Sequence, residues 1–555
     1  MLKFIAAIIY IIFDYLRHQK KLIQKKEINK SLFDNLKKNL NKNLFKSKKN
    51  VKKPKGNLLI ACFIHQLGYT YTDCLIANYL REIKNLKLIG LLDENDNTTK
   101  EFLNCFNSKN NIFLTKLKIL KTIKYLIKSY KIIKRFKNVE EFSKLKINGI
   151  DIGGCVYDQY IRTAKHPTAD NFNFKFLVLL TDALYVNEFS AKLFKELKVN
   201  YMLMTERQFF PSSIIYRNAL KAKVKVISRF SGSKQIGVAF CRSAKEKEDA
   251  DIKIDKKLLQ KYLKKDKMKY SKVGFNKLNS ILEGKIRNPD YFLNILLNKN
   301  KKNILNTKMN INFYERLNLD PNKKTCFIFS HNLLDGVWGF KRIRIFKDYL
   351  TWLKETLNYI NKLDDSVNWI IKDHPSDYGS EKISSNTRNE FQKIINPIKN
   401  NIKLFPKNFD VKIIKEVADC VITQGGSCGT EYPCYGIKAI NSAGIFYSDK
   451  GFTKNYKNKK EYFYILKNIE KVINRKLTKN QIHKARVHYF LQQVLIKYNH
   501  PLLYEFDIGR TLNEKEFFNE SIKLLKKYSK PKDKFRKLLT TQINSSSKHF
   551  VNDIN

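Results

Sequence analysis

Arginine is scarce in this chain of 555 residues: only 17 of its 107 basic residues are Arg, set against 51 acidic ones. A formal charge of +56 would by itself point to nucleic acid. The surplus, however, is lysine, spread along the chain rather than gathered in one arm. Abundant Asn, Ile, Phe and Tyr accompany it, as A/T-rich coding produces without selection for function. Dispersed lysine attracts an anionic membrane surface or an anionic substrate equally well, so no nucleic-acid partner is expected. Cysteine is sparse too. The nine Cys form no CxxC pair or other close metal-ligand spacing. Cys62, Cys326 and Cys420 lie in apolar runs, where cysteine acts as a small buried hydrophobe; this suits a reducing cytoplasm. Walker A and HExxH are both absent, and so are the phosphate loop and zinc helix that they would signal. No internal repeat is seen. Long apolar runs are missing as well: residues 4–13 are apolar, but too few to span a bilayer, and no small-residue cleavage site follows.

A hydrophobic content of 43% with 13% aromatics supports globular domains, and the length asks for two or three of them. The run 4–13 is followed by a segment, 17–55, holding 15 Lys and Arg against Glu27 and Asp34. This reads either as an interfacial anchor on the cytoplasmic leaflet or as an ordinary packed helix. A linker at 52–56 precedes a strand at 57–63. Then come a helix near 72–84, a strand at 86–92, helices at 114–136 and 176–197, a strand at 201–204, a helix at 212–221 and a strand at 224–228. Residues 245–310 are Lys-rich and weakly helical, and read as a connection. Alternation resumes with strands at 325–330, 367–372, 402–405, 420–423 and 438–441 and helices at 345–362, 380–396, 427–435, 459–474 and 479–497. A polar tail after about 530 reads as frayed. Such βα alternation predicts an α/β protein of two facing doubly wound, Rossmann-like domains with a basic helical N-terminus. The expected boundaries are 1–56, 57–244 (acceptor side), 245–310, 311–510 (donor side) and 511–555. The cleft between the two domains is the natural place for an active site.

The densest chemistry lies at 367–453. The strand VNWIIK runs into Asp373-His374-Pro375, where proline stops the strand and directs the loop. His374 is placed to donate to a phosphate or sugar oxygen. The strand CVIT runs into Gly425-Gly426-Ser427 and a helix start, with Thr430 and Glu431 one turn on. A Gly-Gly-Ser turn that opens a helix offers free N–H groups to a phosphate, although Ser427 and Thr430 could equally be caps alone. Glu431 could complete a capping box or accept from ribose hydroxyls. His331 and Asp335 follow the strand 325–330. In the amino half, Glu206 follows the strand 201–204 and is a candidate general base; the alternative is a salt bridge to Arg207 or Arg217. Asp158 stands in the segment 153–162, which begins with a Gly pair, and His65 follows the first strand.

Taken in order, the FSHNLLDG loop, FKDYLTWLKETL, VNWIIKDHPSD and ADCVITQGGSCGTEYPCYGIKAI resemble the carboxyl half of bacterial capsule and surface-polysaccharide glycosyltransferases of the two-domain GT-B type. The pattern is similar above all to that of the capsule Kdo transferases with their HP motif. YDQYIR at 157–162 resembles a recurrent piece of their amino half. Asp373 departs from the Pro or Glu often found before the His. The resemblance implies a CMP-sugar or other nucleotide-sugar donor, with His374 on its phosphate and Ser427 and Gly426 on the same phosphate or the ribose. It also implies Glu206 or Asp158 as base, no metal and no cofactor, and a glycan or glycolipid acceptor at the inner face of the membrane. Similar HP and Ser-rich elements occur in CDP-glycerol glycerophosphotransferases. A sugar-nucleotide epimerase would share the two-domain architecture, and a non-catalytic membrane-surface scaffold would share the basic N-terminus and high charge.

Overall fold

A computed structural model describes residues 2–23, 28–45, 53–108, 110–230, 234–241, 252–283, 285, 309–338, 343–374, 386–394, 397–407, 409–503, 513–528 and 533–553. The chain forms two compact units. The first comprises Met1–Tyr160, Ala169–Asp251 and Ile496–Asn555; the second comprises Ile161–Thr168 and Ile252–Leu495.

In the first unit, Leu58, Leu59 and Ile60 of strand Asn57–Cys62 and Met202, Leu203 and Met204 of strand Val199–Met204 are all buried. Burial of both sheet faces is why these strands read as unbroken apolar runs. The two pair in parallel, Leu59 opposite Met202. The chain steps outward from Asn57–Cys62 to Lys87–Asp93 and Asn110–Leu114. It then returns to the other side of its starting strand with Val199–Met204 and Lys225–Phe230. Gln235–Cys241 and Tyr498–Asn499 extend that side antiparallel. The direction of winding therefore reverses between Asn57–Cys62 and Val199–Met204, the doubly wound arrangement expected of the sequence.

Three parts of this unit differ from the sequence reading. The segment 153–162, to which the sequence reading assigns no element, lies in the helix Gly153–Ala164, which the Gly pair opens. A Cβ on Gly153 would lie 2.0 Å from the carbonyl oxygen of Phe142, so glycine is needed there for close backbone approach. The tail after 530 is not frayed, because it carries the helix Lys534–Asn544 and a bridge from His549 to Ala239. Phe517, Phe518, Phe535, Leu539 and Phe550 are buried with Tyr71, Phe102 and the core strands. Burying these rings outweighs the polar composition around them. Finally, the basic segment 17–55 contains the helix Lys30–Asn43. Its Phe33, Leu36 and Leu40 enter the same core, so this helix is packing structure.

The second unit holds a six-stranded parallel sheet. Its order is Ile402–Leu404, Val367–Lys372, Lys324–Phe329, Cys420–Thr423, Lys438–Asn441 and Lys454–Asn455. Winding reverses between Lys324–Phe329 and Cys420–Thr423. Trp352, Trp369 and Tyr462 anchor one face, and Trp352 Nε1 donates to the Tyr462 hydroxyl at 3.1 Å. The stretch read as a connection includes the helix Lys256–Leu282, kinked at Asp266. It lies along the helix Lys479–Phe490, with Tyr270 stacked on Phe490 at 4.9 Å. The chain rejoins the first unit at Ile496, earlier than the expected end of the second domain at 510.

Gly274 sets the spacing of those two helices, because a Cβ there would lie 2.1 Å from the Arg486 carbonyl oxygen. Gly274→Ala should destabilise the protein by about 1–3 kcal/mol through overpacking, read as a lower denaturant midpoint. An unchanged midpoint would mean that the helices do not meet there.

Candidate functional site

Three neighbouring parallel strands of the second unit end side by side in polar loops. Lys372 and Asp373 close the strand Val367–Lys372 and are both buried. Asp373 is gripped by the Arg388 guanidinium, which also donates to the Phe405 carbonyl. Lys372 Nζ donates to the Asp373 carbonyl at 3.0 Å. The residue that departs from the resembled pattern thus fixes the loop base as a buried ion pair.

His374 stacks on His331 with ring centroids 5.7 Å apart, and His331 stacks on Tyr349 at 3.9 Å. Burial, helped by the charge of Lys372, pushes His374 down to about 4. At neutral pH it is an uncharged imidazole, able to donate one hydrogen bond but bringing no positive charge. Pro375 lies outside the described residues. His331 Nδ1 is 3.8 Å from Asp335 Oδ2. Their loop is shaped by Asn332, whose side chain accepts from Leu334 N–H and whose carbonyl accepts from Asp335 N–H, each at 3.0 Å. It is tied to the neighbouring strand through Ser330 N–H and the Lys372 carbonyl at 2.9 Å.

The Gly-Gly-Ser turn is built differently from the expectation. Gly425 has φ +101° and donates its N–H to Asn441 Oδ1 at 3.0 Å. Gly426 donates to Thr423 Oγ1 at 2.9 Å, and its carbonyl accepts from the Tyr447 hydroxyl at 2.6 Å. Both amides expected to be free are therefore committed within the turn. Gly429 leaves room for Tyr447, whose hydroxyl would stand 2.1 Å from a Cβ there. The helix expected over 427–435 is one α turn, Cys428–Glu431, followed by the 3-10 turn Tyr432–Tyr435. Pro433 lies in that second turn and has no N–H to continue the helix. An α-helix this short has a weak dipole. Thr430 is buried and faces His488 Nδ1 at 3.4 Å. Glu431 is half-buried, with its N–H on the Ser427 carbonyl at 3.1 Å. Ser427 has helical φ and ψ and makes no capping bond, so its half-buried hydroxyl is not used as a cap.

Sequence reasoning missed what lies beside this turn. Gln424 is buried, yet neither end of its amide has a partner among the described residues. The same holds for Asn441 Nδ2 and Ser442 Oγ. These atoms sit at the carboxyl ends of Cys420–Thr423 and Lys438–Asn441, beside the reversal of winding. Buried polar groups without partners cost free energy and call for a polar ligand or ordered water. The signal available in the sequence was a Gln placed directly before the Gly pair.

In the first unit, Glu206 is half-buried and its Oε1 accepts from the N–H groups of Gln208 and Phe209, at 2.5 and 3.2 Å. Arg217 turns to the Ser213 carbonyl at 2.7 Å and lies 4.0 Å from Asp151. Asp158 is fully buried on the helix Gly153–Ala164. Beside Glu206, the Thr205 hydroxyl and Arg229 Nε both bond the buried Asp73, at 2.8 and 2.6 Å.

His65 bridges Asp93 and Asp96 at 3.1 and 2.8 Å. Those hydrogen bonds push it up to about 10, so it is a cation at neutral pH. It lines a cavity of about 540 Å³ together with Asp14, Glu94, Asp182 and Tyr185. Lys116 pairs with Asp14 and His18 with Glu94. Burial raises Asp182 to about 7, partly offset by Lys116.

No family model matches the sequence, and no curated protein does. Among solved structures the chain is similar to KpsC β-Kdo 2,4 transferase of Thermosulfurimonas dismutans. The identity is 11%, with 58% of this chain and 87% of that one covered, at a TM-score of 0.33. A glycosyltransferase of Rickettsia africae ESF-5 matches at 11% identity over 86% of this chain and 99% of that one, with a TM-score of 0.26. UDP-GlcNAc 2-epimerase of Neisseria meningitidis matches at 10% identity over 79% and 99%, with a TM-score of 0.24. Likenesses of this size say nothing about activity, which has to be read from the residues of this chain.

Burial also lowers His488 to about 3 and His500 to about 4. Like His374, each is neutral when folded but takes a proton when unfolded below its ordinary value of 6.5. Stability should therefore be intact at pH 7 and fall as pH drops from about 6.5 toward 4, by about 1.4 kcal/mol per pH unit for each histidine, with the raised Asp182, which has the opposite sign, offsetting one of the three. Denaturant unfolding at pH 7 and pH 4.5 checks this, and an NMR titration of His374 should give a midpoint near 4. A midpoint above 6 would mean that the ring is solvated.

Proposed function

We propose that the protein is a glycosyltransferase that moves a sugar from a nucleotide-sugar donor to a surface polysaccharide or glycolipid acceptor. The observation that carries this reading is the carboxyl edge of the second unit's sheet. There the uncharged His374, the Ser427 hydroxyl and the unpaired Gln424, Asn441 and Ser442 groups flank the reversal of winding, where doubly wound sheets take nucleotides. The mixed donors and acceptors of that edge suit a base, a ribose and a phosphate together. A CMP-sugar is the donor that the resembled pattern favours.

In the reaction the acceptor oxygen bonds to the anomeric carbon as the bond from that carbon to the phosphate oxygen breaks. The acceptor's proton passes to a base, and the nucleotide leaves with the electron pair. Hydrogen bonds from His374 and Ser427 would stabilise the departing phosphate. Glu206 is the better supported base, because its Oε2 is not tied to the turn that holds Oε1, whereas Asp158 is fully enclosed. No metal enters the proposed step.

The cavity in the first unit supports an acceptor of particular chemistry. Its size falls in the range that small ligands fill. Its five carboxyl groups, Asp14, Asp93, Glu94, Asp96 and Asp182, outnumber the Lys116 and His65 cations that also line it, so it suits sugar hydroxyls or an amino group better than carboxylated sugars.

The test is a panel of CMP-, CDP-, UDP- and GDP-sugars, read by melting temperature and turnover. One nucleotide class should raise the melting temperature. His374→Ala should abolish turnover with the fold intact, and Gln424→Leu should weaken binding by about tenfold or more. No binding or turnover across the panel would sink the proposal, and a product formed without any acceptor would indicate an epimerase instead.

For the acceptor, neutral or amine-bearing saccharides should support turnover while acidic ones do not, and Asp182→Lys should weaken use of an amine-bearing acceptor. Equal use of acidic saccharides would remove the cavity from the acceptor role.

A further inference from the structure

The helix Leu2–Ile23 is apolar on two opposite faces. On one face Ala7 and Ile11 are buried against Leu126, Leu177 and Val178, with Phe4 and Ile8 partly buried beside them. On the other, Leu2, Ile5, Ile9, Phe13 and Leu16 follow one another at intervals of three or four residues. They are exposed at 83, 45, 50, 65 and 56%. At 3.6 residues per turn these five fall within an arc of about 80°. A soluble helix normally turns polar residues outward; this one shows water a continuous apolar stripe, a feature that marks an interaction surface.

The neighbouring helix, Ile119–Ile133, packs beside it, with Phe4 and Tyr130 in ring contact at 5.2 Å. It adds Leu120 and Ile127, exposed at 83 and 44%. Around these two, Lys121, Lys124, Lys128 and Lys131 are all exposed, as are Arg17, Lys20 and Lys21 at the end of the first helix. The expectation that residues 4–13 as a whole enter the membrane interface is thereby corrected, since Ala7 and Ile11 belong to the core. No helix among the described residues is long and apolar enough to cross a membrane.

We infer that the outward faces of these two helices together dock on an anionic lipid surface, lying in the interface plane with the apolar stripe inserted and the lysines against the headgroups. Charge complementarity selects this occupant. A second copy would bring the same lysines face to face in a symmetric contact, and a chain of net charge +56 repels itself. Anionic headgroups neutralise that charge and take up the apolar side chains at once. The inference does not depend on the proposed activity.

The full chain should co-float with vesicles of phosphatidylglycerol mixed with phosphatidylcholine at low salt, and much less with phosphatidylcholine alone or at high salt. Ile9→Glu with Phe13→Glu should lower the bound fraction by about tenfold. Lys121, Lys124 and Lys128 changed together to Glu should remove most of the salt dependence. All nine cysteines are buried, so Phe13→Cys can be labelled selectively with a polarity-sensitive dye. Its emission should shift to the blue on anionic vesicles, a readout that does not rely on the glutamate variants folding. Failure of the wild type to float with anionic vesicles at low salt would overturn the inference. So would floatation that the Ile9 and Phe13 changes leave untouched. A dimer in solution that those changes dissociate, with no blue shift on vesicles, would assign the face to a second copy.

Discussion

Parallel strands cannot be joined by tight turns. Each is followed by a crossover that brings the chain back to the same starting edge, so every carboxyl end in a sheet falls on one side. In the second unit the pairing of Lys324–Phe329 with both Val367–Lys372 and Cys420–Thr423 therefore gathers three loops that are distant in sequence. Because the winding reverses beside that central strand, the loops on either side of the reversal leave in opposite directions and part. His374 and His331 lie to one side of the parting, and Gln424 and Ser427 to the other. The candidate chemistry is there because the strand pairing puts it there.

The strands are the most legible part of the chain. Residues 58–62, 367–372 and 420–423 are buried on both faces, and burial on both faces writes an unbroken apolar run. Strand Asn110–Leu114, which is only half-buried, writes no such run. The helix Gly153–Ala164 is hidden by its opening glycines. The first of them answers to the Phe142 carbonyl, a neighbour that local sequence cannot announce. The tail reads as frayed because its polar residues outnumber its rings, although the rings decide where it packs.

At the candidate site the sequence points to the right loops but not to the groups that are free in them. His374 lies where the strand pattern puts it. The glycines at 425 and 426 read as donors to a ligand, but Asn441 and Thr423 already take their N–H groups. The atoms without partners belong to Gln424, Asn441 and Ser442. An unpaired amide is a property of surroundings, visible only once burial and neighbours are known. That Glu206 follows a strand is legible in the sequence; that it uses one oxygen to hold its own turn is not.

The first unit is discontinuous: its core is completed by Phe517, Phe518, Phe535 and Phe550, which follow the whole of the second unit in the chain. On the ribosome, Phe33, Leu36 and Phe102 emerge hundreds of residues before the rings that cover them. The second unit comes almost entirely from one uninterrupted stretch and can close as soon as that stretch is out. The core of the first unit can therefore be completed only after the whole of the second unit has been made.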